Sequence, residues 1–99
     1  MSVSSLRREY PYVLTFNGRR FNRVLIDRHY EDNHPDMSDE LILELIKAQD
    51  GKEQEPAATR NGFWYFKIED RCQGKLYRLI LTYCEGDFLG VINAFRIKE

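Results

Sequence analysis

Both histidines of this 99-residue chain fall in one short run, DRHYEDNHP, residues 27–35. Their spacing decides which chemistry they could share. His29 and His34 are five apart in turn-like sequence, whereas two metal-binding histidines on one helical face need a shorter interval. The carboxylates around them match neither a structural zinc set nor a calcium loop, so neither a metal nor a cofactor is expected. A G-x-S-x-G elbow and a phosphate-cradling glycine loop are absent, and neither cysteine sits in an activating motif.

Cleavage of RNA without a metal has other needs. It takes a base for the 2′-hydroxyl, an acid for the departing oxygen and a cation near the phosphorus. Histidine suits proton transfer near neutral pH, arginine grips phosphate, and tyrosine stacks or donates a hydrogen bond. The residues that could do this are His29 and Tyr30, at the exit of an early strand, and Arg78, Tyr83, Asn93 and Arg96 on later ones. Arg19, Arg20 and Arg23 could steer RNA towards them. His34, placed before Pro35, suits the turn better. The plainer alternative is that His29 is a satisfied surface histidine.

The elements that would position these residues follow from local pattern. Asn17-Gly18 lies between two extended runs and signals a hairpin, with strands at about 11–16 and 19–27. Ser38 is a natural N-cap, Asp39 and Glu40 suit the first turn, and Leu41, Ile42, Leu45 and Ile46 make one apolar stripe. Asp50-Gly51 closes that helix. Three aromatic and β-branched runs, 63–69, 75–83 and 88–98, read as strands. The expected fold is α+β: a mostly antiparallel sheet in the order ββαβββ, with one long amphipathic helix packed on one face. Strand alternation puts Arg78 in a row with Leu76, Ile80 and Thr82. It puts Asn93 in a row with Leu89, Val91, Phe95 and Ile97, and Arg96 beside Ile92 and Ala94.

Residues 1–99 form one domain, with 1–10 and 99 expected to fray and 52–62 expected to be a mobile loop. Composition is ordinary for a soluble globular chain, at 42% hydrophobic and 31% charged. The first ten residues hold no apolar signal region, and ELILELI is too short and acidic to span a bilayer. A cytoplasmic location and no membrane partner are expected. Cys72 and Cys84 bracket a strand-like run that separates them by roughly 30–40 Å, so they are read as free thiols. The net charge of −1 hides segregation. Residues 1–30 hold six arginines and two acids, while 31–56 hold nine acids and two lysines.

The hairpin, the histidine before an amphipathic helix, and the closing run LGVINAFRIK resemble a known group. It is the superfamily of small ribonuclease domains that includes RelE-like and BrnT-like toxins, barnase, EndoU and the colicin E5/D nucleases. HYEDNHPDMSDELILELI is similar to the histidine-plus-helix region of phage-associated members, and VINAFR to the last strand of BrnT-like toxins. The resemblance implies an active site on a sheet face, with His29 as the early histidine and Asn93 and Arg96 as the late polar pair. It implies a hydrolase acting on RNA, and for a toxin it implies a neutralising antitoxin. The slightly acidic charge departs from the group, whose members are usually basic. A reading from another class is therefore kept: a non-catalytic interaction module, such as an inhibitor or adaptor. It would use its acidic helix residues Asp39, Glu40 and Glu44 to bind a basic partner.

Overall fold

The computed structural model describes residues 7–27, 30–34 and 36–98. Eight strands and two helices follow in order: β1 (Arg7–Tyr10), β2 (Leu14–Phe16), β3 (Arg19–Phe21), β4 (Arg23–Asp27), α1 (Tyr30–Asn33), α2 (Asp39–Lys47), β5 (Ala58–Arg60), β6 (Phe63–Cys72), β7 (Lys75–Tyr83) and β8 (Phe88–Ile97). Six strands form one sheet in the order β1-β4-β8-β7-β6-β5, while β2 and β3 pair separately. All pairings are antiparallel except β4 with β8, which run parallel.

This corrects the expected ββαβββ arrangement with its long helix. Strands dominate, the sheet is mixed, and α2 has only nine residues. It starts as its sequence demands: Ser38 is extended and its Oγ accepts the Leu41 N–H at 3.2 Å. It stops early because the chain after Lys47 is captured by the hairpin. The Gly51 N–H donates to the Thr15 carbonyl at 2.7 Å, and the Thr15 N–H donates to Asp50 Oδ1 at 2.8 Å. The Asn17-Gly18 turn forms with positive φ at both residues, 56° and 71°. Residues 7–10, expected to fray, make edge strand β1, and the segment expected to be a mobile loop contains β5.

The core lies on one face of the large sheet. Ile42, Leu45 and Ile46 of α2 join Phe66, Ile68, Leu79 and Leu81, all buried. The small hairpin covers the same face. Phe16 meets Phe66 edge-on at 5.3 Å, and Phe21 meets Tyr83 at 5.1 Å. Among the described residues, no helix is long and apolar enough to cross a membrane.

Candidate functional site

The other face of the sheet is the open one, and register decides which side chains it carries. Paired residues share a face. Arg78 lies opposite Phe95 and Ile80 opposite Asn93, while the core residue Leu79 lies opposite Ala94. Between Asn93 and Val91 the pairing slips by one, leaving Ile92 as an extra residue on β8. That bulge breaks the row expected from simple alternation. Leu89 and Val91 point into the core, while Asn93 and Phe95 point out beside Arg78. Apart from Thr82 and Gly90, the side chains of this face are exposed or half-buried.

His34 comes to the same place by another route. β4 pairs with β8 only as far as Val91, and α1 packs against β8 beyond it. The His34 N–H donates to the Tyr30 carbonyl at 2.8 Å, which closes the α1 turn. Its ring then lies 5.3 Å from that of Phe95, with the planes 30° apart. The Arg78 guanidinium lies 5.7 Å from the same ring. Arg78 also donates from Nε to Glu69 Oε2 at 2.8 Å. Asn93 Oδ1 accepts the Ala94 N–H at 2.9 Å, and its amide NH2 remains a donor on the open face. A histidine and an arginine thus flank one half-buried aromatic ring, and an amide lies two residues along the same strand face.

The faces also differ in charge. By register the open face carries Arg7, Arg23, Arg60, Lys67, Arg71 and Arg78 against Glu9, Asp27 and Glu69. On the core side, α2 and the loop after it carry Asp39, Glu40, Glu44, Glu53 and Glu55, and Glu31, Asp39 and Glu40 share an open cavity with His34. At the far end of the open face lies a small, half-enclosed cavity of about 120 Å³. Arg7, Asp27, Phe63, Thr82, Phe88 and Ile92 line it. Gly90 belongs to its floor, and a Cβ there would sit 3.2 Å from Thr82 Cγ2.

The residues singled out from sequence do not gather in one place. Arg78 and Asn93 are together on the open face. Arg96 lies opposite Tyr77, in the register of the core face, and is exposed near the end of the strand. Tyr83 is only 3% exposed; it stacks on Phe66, and the Arg19 guanidinium lies 5.4 Å from its ring. Tyr30 is likewise buried, with its hydroxyl 2.5 Å from Asp39 Oδ1. Both tyrosines are packed into the core. His29 lies outside the described residues. Arg19 donates to the Gly86 carbonyl at 2.9 Å, Arg20 is exposed, and Arg23 is held by Glu9 and Asp87 at 2.9 and 3.0 Å. His34, which the sequence assigns to the turn, comes to the open face, and Phe95 is the residue that sequence reasoning missed. Phe95 could have been found from its place two residues after Asn93.

The acidic start of α2 has an internal role. Asp39 accepts from Arg8 Nε at 2.5 Å and Arg8 NH2 at 2.8 Å, and also from the hydroxyls of Tyr10 and Tyr30. A second acid, Glu31, bonds Arg8 from the other side. Burial is the strongest single influence on the Asp39 carboxyl and opposes ionisation. The hydrogen bonds from Arg8, Tyr10 and Tyr30 together outweigh it, and the pKa is lowered to about 2. For Tyr30, burial and then the bond to Asp39 push the phenol above its ordinary range. The cluster ties edge strand β1 to α2.

Among the described residues no group of three or more His, Cys, Asp or Glu side chains could hold a metal ion. Cys72 and Cys84 are free thiols, both half-buried. No protein-family model, curated protein or solved structure matches the chain. The likeness to RelE-type ribonucleases therefore rests on the residues quoted for it.

Proposed function

We propose that the chain binds RNA across the open face of its sheet and cleaves it by general acid–base chemistry, as a small metal-independent ribonuclease of the toxin type. The observation that carries this reading is the placement of His34 and Arg78 beside Phe95, with Asn93 two residues along, on the more cationic face. Phe95 offers a ring on which a base can stack. Arg78, already leaning over that ring, can exchange its exposed Glu69 partner for a phosphate. Asn93 can donate to a phosphate or base oxygen. His34 carries one proton transfer, and His29, earlier in the same connection, is assigned the other. Arg96, Tyr83 and Tyr30 leave the reaction.

The test is cleavage of a dual-labelled RNA oligonucleotide by the purified chain in the presence of a chelator. His34→Ala and Arg78→Ala should each slow cleavage by about 100-fold or more. Arg96→Ala should stay within about threefold of the parent. An inert purified chain whose overexpression leaves growth unchanged would remove the nuclease.

The non-catalytic reading keeps one specific support. Glu40 and Glu44 are exposed on α2, but Asp39 is committed to Arg8 and the two tyrosines. An inert chain that binds a basic protein through Glu40 and Glu44 would favour it.

A further inference from the structure

Trp64 presents a different surface, on the other side of the sheet, and its role is independent of any nuclease activity. The residue belongs by register to the core face, opposite Tyr83, yet it is 46% exposed. Its ring packs on Tyr83 at 5.6 Å, and the rest borders an open groove of about 430 Å³. Glu53, Gln54, Glu55 and Pro56 form one wall and Asn17 another.

The groove has fixed walls. The Asn17 N–H donates to the Lys52 carbonyl at 3.0 Å, and the Gln54 N–H donates to Asn17 Oδ1 at 2.6 Å. The left-handed backbone of Asn17, φ 56°, aims both groups at the loop. Two carboxylates, Glu53 and Glu55, line the groove, and none of its lining residues is cationic. An indole face beside two acids selects a cation and repels phosphate. A planar guanidinium fits both requirements, stacking on the ring and forking to a carboxylate, where an ammonium acts as a point charge. The same aromatic cluster already accepts one such group from within the chain. Arg19 lies 5.4 Å from the Tyr83 ring and 5.7 Å from that of Phe21.

We propose that the groove between Trp64 and the Glu53–Glu55 loop is a docking site for an arginine side chain on an extended segment of a partner protein. Trp64 is the only tryptophan in the chain, so its emission reports occupancy directly. The probe is a blocked Gly/Arg octapeptide with two arginines, titrated into the full chain, with its Gly/Lys counterpart and an oligouridylate as comparisons. A saturable change in emission is expected with the arginine peptide, and binding roughly threefold or more weaker with the lysine peptide. E53Q/E55Q should raise the dissociation constant by roughly tenfold, whereas E40Q/E44Q on α2 should leave it within about twofold. Both pairs are exposed, so the fold tolerates them. With a fluorescein-labelled arginine peptide, W64A should lower affinity while W64F keeps part of it. The proposal is overturned by an unchanged emission, by equal weakening in the loop and helix variants, or by displacement of the peptide with oligouridylate.

Discussion

His34 and Phe95 lie ring against ring, centroids 5.3 Å apart and planes inclined by 30°. The contact joins the connection after β4 to the outer face of β8, two parts of the chain with no hydrogen-bonded strand register between them. It gives His34 either a packing role or a chemical one, and substitution separates the two. His34→Phe keeps an aromatic ring over Phe95 and removes the transferable proton. Its melting temperature should stay within about 2–3 °C of the parent. Its rate on the labelled RNA should fall by a factor of about 10²–10⁴. A rate near the parental one would make the ring contact purely structural.

Asp39 should dominate acid sensitivity. Its folded pKa of about 2 lies below the ordinary 3.8, so the folded state holds the carboxylate and the unfolded state protonates first. The resulting stability is present above about pH 4, is lost as pH falls towards 2, and amounts to about 2 kcal/mol. Urea unfolding between pH 6 and pH 2 would measure it. Asp39→Asn should flatten that slope and cost about 2–3 kcal/mol at neutral pH.

Gly90 and Thr82 should be energetically coupled. A methyl group at 90 would meet Thr82 Cγ2 at 3.2 Å, so Gly90→Ala should cost about 1–2 kcal/mol. Thr82→Ser removes Cγ2 while retaining the hydroxyl that donates to the Trp64 carbonyl at 3.0 Å. The double variant should recover roughly half of the Gly90→Ala cost, and a double-mutant cycle by urea unfolding reads the coupling.

Ser38→Ala should cost about 1 kcal/mol, since its Oγ satisfies the Leu41 N–H. Ser38→Asp should retain most of that stability. Thermal unfolding followed by circular dichroism distinguishes the two.

Features set by neighbouring residues were legible in the sequence. Asn17-Gly18 announced its hairpin, Ser38 its helix start, and the three aromatic runs their strands. Features set by distant pairing were not. Nothing local marks Arg23–Asp27 as the parallel neighbour of β8, and nothing in VINAF marks Ile92 as the bulged residue. That one residue moved Asn93 and Phe95 to the side of Arg78 and left Arg96 in the register of the other. Asp39 is deceptive for the same reason. In sequence it looks like a solvated helix-start acid, and only the pairing of β1 with β4 brings Arg8 and Tyr10 to it. His34 looks like part of a turn, which it is, and the turn is what carries its ring to Phe95.

β8 lies in the middle of the sheet, between β4 and β7, although among the described residues it is the last strand to be made. A ribosome that has read as far as residue 87 therefore holds a chain whose two halves have no common strand to dock on. Slow, non-local pairing of this kind waits for its final segment. Arg78 has by then been translated, but Asn93, Phe95 and the outer face that unites them with His34 have not. The outer face that unites Arg78, Asn93, Phe95 and His34 is therefore assembled only once β8 has left the ribosome.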